Sequence, residues 1–242
     1  MGGPADSAVF RPLRNGNSFE ETLECLLTAI KLGVVGPGER MPSERELAER
    51  LNVSRVTVRE AVRELQHAGY TESRRGRYGG TFVKPVAPRP SPPSVTVTAP
   101  ELEDLLVLRE ILEVGAAAHA ASRRLTTAER DDLARRLREC TSATGHADYR
   151  RLDSRLHLAI AEATGSASLT SAVAATRMRV NVLLDAIPVL ERNVRHSEEQ
   201  HARVVTAILD GRPSVARAAM ADHLGATAAL LRGFLARPLN AP

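Results

Sequence analysis

The sequence predicts a mainly α-helical chain of two parts: a small α+β unit followed by an all-α bundle. Three observations predict it. Residues 43–66 read as two short capped helices joined by a turn, and a glycine-rich hairpin follows them. Pro85 to Pro100 is dense in Pro and Ser with no helical period. From Glu101 onward one helical segment succeeds another without a strand candidate.

The elements follow in order. Residues 1–17 are rich in Gly, Pro, Asn and Ser and are expected to be disordered. Phe19 to Leu32 carries Leu23, Leu26, Leu27 and Ile30 on one face, with Gly33 ending the helix. Ser43 and Glu46 have capping-box spacing, which satisfies free backbone N–H groups at a helix start. Leu47, Ala48 and Leu51 face inward, Asn52-Val53 breaks the pattern, and Ser54 caps a helix with Val58, Ala61, Val62 and Leu65 inside. Strands are expected at 70–75 and 81–84, around a tip bearing Gly76, Arg77, Tyr78, Gly79 and Gly80. The first unit thus spans 18–84, a linker 85–100, and the second unit 101–237. Within the second unit helices are expected at 101–123, 126–143, 147–164, 166–187, 190–210 and 213–236.

The 242 residues suffice for two modest domains. Aromatics are 3% and Trp is absent, so Ala and Leu carry the apolar mass, which favours helices. The formal net charge of +4 is compatible with a polyanionic partner and does not establish one. Cys25 and Cys140 stand alone, as in a reducing compartment. No leader and no apolar run of membrane-spanning length is present, so a cytoplasmic location without membrane contact is expected.

Arg55 and Arg59 lie one turn apart on the second capped helix, away from its apolar stripe, and Arg63 continues the row. This is the layout of a helix-turn-helix that reads DNA, the alternative being an ordinary helical hairpin with a solvated basic face. A hairpin after it is a wing, whose glycines allow close backbone approach while Arg74, Arg75 and Arg77 supply charge.

In the second unit Asp153 and His157 sit one turn apart beside the stripe Tyr149, Leu152, Leu156, Ala159, Ile160 and Ala163. His201 heads an inward series of Val204, Val205, Ile208 and Leu209. His223 lies inward among Met220, Leu224 and Thr227. One carboxylate and three imidazoles on three helices suit a divalent transition metal such as Zn, Ni or Mn. The competing assignment is a set of hydrogen-bonded core histidines with Asp153 paired to an arginine. His67, His119, His146 and His196 show no convergence and are assigned to surface or structural positions.

Taken together, Pro42-Ser43-Glu44-Arg45-Glu46-Leu47-Ala48, Val53-Ser54-Arg55-x-Thr57-Val58-Arg59-Glu60-Ala61 and the wing run Arg74 to Val83 resemble the GntR family of bacterial transcription regulators. Leu108-Arg109-x3-Glu113, Asp153-x3-His157, Ser197 to His201 and Met220-x2-His223 resemble its FadR-type (FCD) effector domain, metal-binding branch. The resemblance implies a homodimer on near-palindromic double-stranded operator DNA, acting as a repressor. It implies DNA contacts from Arg45, Ser54, Arg55, Thr57, Arg59, Arg77 and Gly79. It further implies a metal held by Asp153, His157, His201 and His223, and a small carboxylate effector met by Arg109. No enzymatic activity is implied. The alternative is a metal-dependent enzyme with an appended DNA-binding domain, for which a His-Glu-x-x-His motif is missing.

Overall fold

The structure is a computed structural model describing residues 9, 10, 12, 18–76, 79–85, 97–143, 145–187 and 191–235. The expectations for most of the 1–17 tail, for Arg77 and Tyr78, and for most of the 85–100 linker lie outside these residues. The chain divides into two compact units, Met1–Ser91 and Pro92–Pro242.

In the first unit, α1 (Ser18–Lys31), α2 (Glu44–Leu51) and α3 (Arg55–His67) precede β1 (Thr71–Arg74) and β2 (Gly80–Val83). The Ser43–Glu46 capping box forms as the spacing predicts, with the Ser43 backbone N–H donating to Glu46 Oε2 at 2.8 Å. Asn52 ends α2 in the left-handed region at φ 55°, so the chain turns into Ser54 without a glycine. Leu26, Ile30, Leu47, Leu51, Val58, Val62 and Leu65 close over one core, and α1 packs against α3.

The two strands pair antiparallel, from Thr71 opposite Val83 to Arg74 opposite Gly80. Met41 N–H donates to the Thr81 carbonyl at 2.8 Å, so the segment before α2 lies along β2.

Six further helices occur among the described residues of the second unit. They are α4 (Ala99–Ser122), α5 (Thr127–Thr141), α6 (His146–Glu162), α7 (Ala167–Asp185), α8 (Glu191–Leu209) and α9 (Pro213–Leu235). Helix α4 starts two residues earlier than expected, inside the stretch read as linker. Thr98 and Glu101 form a capping box, and Pro100 falls in the first turn, where its missing N–H removes no helical bond. The core joins Leu102, Leu105 and Leu106 of α4 to Val180, Leu183 and Leu184 of α7 and Leu231 of α9.

Helix α6 differs from the one-sided stripe read in the sequence. Every residue from Asp153 to Thr164 is buried, including Ser154, Arg155 and Glu162, because α4, α5 and α7 all pack around it. The helix that carries Asp153 and His157 therefore runs through the interior of the bundle.

Candidate nucleic-acid interface and bundle-core metal centre

Helix α3 begins with Ser54 accepting from the Thr57 backbone N–H at 3.0 Å. The Ser54 and Thr57 hydroxyls lie 2.9 Å apart. Arg55, Arg59 and Arg63 are exposed. Arg59 Nε donates to Glu44 Oε2 at 3.2 Å, so the first motif helix steadies that guanidinium. Arg45 is exposed and lies 3.8 Å from Glu49 one turn on. On the hairpin Arg74 is engaged rather than free: it stacks over Phe82 at 4.3 Å and pairs with Glu72 at 2.8 Å.

Gly79 has a reason for being glycine within the hairpin itself. A Cβ there would sit 2.5 Å from the Arg74 carbonyl oxygen and 2.9 Å from that of Gly76. The tight tip accounts for the glycine without any appeal to DNA.

In the second unit Asp153, His157, His201 and His223 come together in the core, all buried. The Nε2 atoms of the three histidines form a triangle with sides of 3.2–3.3 Å. Asp153 Oδ1 lies 3.2 Å from His201 Nε2 and 3.7 Å from His157 Nε2. Asp153 also pairs with Arg177 of α7, itself fully buried, so the aspartate stands beside the histidines and has an arginine partner as well.

The partners on the far side of each ring set the proton positions. The Glu113 carboxylate accepts from His157 Nδ1, and Gln200 Oε1 accepts from His223 Nδ1 at 3.3 Å. Both rings then carry their lone pair on Nε2, facing the centre of the triangle. Burial, and for His223 also the neighbouring His201 and His157, pushes the His157 and His223 pKa values down, so both stay neutral. Burial alone would raise the Asp153 carboxyl, but the Arg177 guanidinium, helped by hydrogen bonding to His201, outweighs it and holds it well below the usual carboxylate range. Likewise for Glu113, burial opposes ionisation while His157 and Arg109 more than compensate, and its pKa is lowered.

Lone pairs meeting at this distance repel unless a cation lies between them. Two nitrogens bound tetrahedrally to one ion at about 2.05 Å are separated by about 3.3 Å, close to the observed sides. The donor set fits a divalent transition metal, and Glu113 and Gln200 hold two of the rings with Nε2 toward the centre. His201 Nδ1 is buried without a hydrogen-bond partner.

A cavity of about 70 Å³ opens beside the cluster, lined by Arg109, Arg150, Asp153, Arg177, Ser197 and His223 among others. Arg109 Nε donates to Glu113 Oε1 at 2.8 Å, while its Nη1 is buried with no partner. Arg177 Nε is unpartnered too.

Sequence reasoning missed Glu113 as a support, Gln200 and Arg177. Glu113 stood one turn from Arg109 and Gln200 next to His201, but nothing in spacing alone joins α7 to Asp153. Glu162, a conceivable general base, is bound 3.0 Å from Arg155. His67, His119 and His196 are exposed.

Two capped helices and a paired hairpin in one unit, with a buried ligand-type cluster in the other, define a DNA-binding transcription regulator. The chain belongs to the GntR family of bacterial regulators with a C-terminal FCD domain. Residues 20–83 match the model "Bacterial regulatory proteins, gntR family" and residues 104–226 match the FCD domain. HTH-type transcriptional regulator LutR of Bacillus subtilis is 29% identical over 216 residues, covering 85% of this chain and 97% of LutR. RmpR of Mycobacterium gastri is 30% identical over 230 residues, covering 91% of this chain and 82% of that protein. The solved structure of E. coli McbR/YncC shares the fold, with TM-score 0.56 and 19% identity over 90% of this chain and 98% of that one. Its relatives are regulators, and the chain is one rather than an enzyme. No helix among the described residues is long and apolar enough to cross a membrane.

Proposed function

We propose that the chain is a homodimeric repressor of a near-palindromic operator, released from DNA when a small carboxylate binds beside a metal in the bundle. The convergence of three imidazole Nε2 atoms and Asp153 supports the metal. Asp153, His157, His201 and His223 would hold it, and Zn, Ni or Mn would suit that donor set. When bound, the ion supplies an electrophilic anchor for a carboxylate oxygen. The partnerless Arg109 Nη1 and Arg177 Nε beside the cavity supply N–H donors to the same anion.

In the first unit Arg55 and Arg59 would reach base edges, with guanine the best match for a two-pronged guanidinium. Arg45 would contact phosphate or a base, Ser54 and Thr57 would add backbone or thymine-methyl contacts, and Arg77 and Gly79 would bring the wing to the groove. An acid that binds one arrangement of the dimer better than the other shifts its operator affinity by the difference. The cytoplasm is where such a protein meets its DNA.

The test is operator binding by fluorescence anisotropy, using DNA from upstream of the neighbouring genes. Chelator-stripped protein is reloaded with Zn, Ni or Mn and titrated with two- to six-carbon hydroxy- and dicarboxylic acids. One ion per chain and a roughly 5- to 150-fold loss of affinity with one acid are expected. His201→Ala should keep DNA binding and lose the response. Absence of bound metal, or operator binding indifferent to every acid, refutes the proposal. A dimer mass by light scattering is expected, and a monomer on DNA would refute that part.

A further inference from the structure

Within the first unit, Val56 is an anomaly. It is 60% exposed, the one exposed large apolar side chain among the described residues of that unit. The other branched apolar residues of α3, Val58, Val62 and Leu65, are buried. At about 100° per residue, Val56 lies roughly opposite the centre of the Val58–Ala61–Val62–Leu65 stripe. It therefore points away from the core, on the side that carries the exposed Arg59, Glu60 and Arg63, with Arg55 beside it in the same turn.

Its place along the helix matters as much as its direction. Val56 follows Arg55 in the first turn of α3, after the Ser54 cap. The N-terminal turn of a recognition helix is the part that meets base edges when the helix lies in the major groove. A β-branched residue loses rotamer freedom in a helix and normally recovers that loss by packing. Here most of its surface stays exposed among the described residues of the unit, whereas Ser54, Thr57 and the arginines each have a polar task. The only apolar group that the major groove presents is the C5-methyl of thymine.

We infer that Val56 is a specificity-determining residue that packs on a thymine methyl in each operator half-site, beside the base pair reached by Arg55. The inference rests on the groove placement of α3 and is independent of the metal and of any effector. Valine's two methyls contribute shape to the readout, where Arg55 and Arg59 contribute hydrogen bonds. Cytosine, with no methyl at C5, is disfavoured at that position.

The experiment begins with a duplex selected from a random-sequence pool by the wild-type, full-length protein. Recovery of a defined sequence tests the groove placement by itself; recovery of none refutes it and Val56 readout together. Each thymine of the selected half-site is then replaced singly by deoxyuridine, which removes the methyl and leaves base pairing intact. Wild-type affinity, read by anisotropy, should fall about three- to tenfold at one position per half-site, the scale of one buried methyl contact. Val56→Ala should bind the unmodified duplex more weakly by a similar factor and be indifferent to deoxyuridine at that position. Val56→Thr, which keeps one γ-methyl, should remain sensitive. Alanine is a stronger helix former than valine, so α3 should persist, checked by circular dichroism. A wild type insensitive to every deoxyuridine, or Val56→Ala sensitive at the same positions as wild type, overturns the inference. Sensitivity that vanishes in Thr57→Ser instead would overturn it equally, by assigning the methyl contact to Thr57.

Discussion

Glu113→Gln is the substitution that probes the buried charge arrangement most directly. Arg109 and Glu113 are each 2% exposed and joined at 2.8 Å, one turn apart on α4. Asp153 and Arg177 form the second pair, so the four buried charges around the cluster balance, two of each sign. Gln keeps the shape and one acceptor but removes a charge, leaving Arg109 buried without its nearest counterion. Breaking a buried pair by deleting one partner costs roughly 3–5 kcal/mol, and the retained acceptor places this variant near the lower end, about 3 kcal/mol. That is a large share of a typical domain stability of about 5–15 kcal/mol. Urea unfolding of the chelator-treated protein, followed by helical circular dichroism, measures it without a metal contribution. The Arg109→Met, Glu113→Gln double variant should recover to within about 1 kcal/mol of wild type, because it removes the stranded charge and its partner together. A single-variant loss below about 1 kcal/mol, or a double variant as unstable as the sum of the singles, would refute the reasoning.

Three further outcomes are expected. Thr71→Val should stabilise the first unit by about 1 kcal/mol, since the Thr71 hydroxyl is buried without a hydrogen-bond partner; an unchanged unfolding midpoint would show that the hydroxyl is satisfied. Arg55→Ala should cost about 1–3 kcal/mol of operator affinity and relax preference at one base pair, whereas an equal loss on all sequences would mark a phosphate contact. The metal-free protein should lose stability on acidification. His157 and His223 have lowered folded pKa values, so the unfolded chain binds more protons below its histidine pKa of about 6.5 and gains on the fold as pH drops. The lowered Asp153 and Glu113 values act in the same sense, through stability present above about pH 4 and lost below it. A urea midpoint that is flat between pH 7.5 and pH 5 would contradict this.

The residues themselves determined the elements and much of the site. Ser43 with Glu46, and Ser54 before Val58, are local signals, because caps involve groups three residues apart in the chain. Helical periodicity likewise turned Asp153, His157, His201 and His223 inward, since direction about a helix axis follows from sequence position alone. Other features belonged to the packing. The burial of α6 on all sides depends on three helices closing around it, so Ser154, Arg155 and Glu162 gave no sign of being interior. Arg177 meets Asp153 across 24 positions of sequence, and Glu113 meets His157 across 44. A guanidinium on one helix and a carboxylate on another become partners only when the crossing of those helices sets the distance between them. The sequence placed four ligand-type side chains on the inward faces of their helices. The tertiary structure decided which buried charges accompany them, which ring nitrogen each histidine turns to the centre, and that Val56, unlike Val58 and Val62 on the same helix, is left mostly exposed.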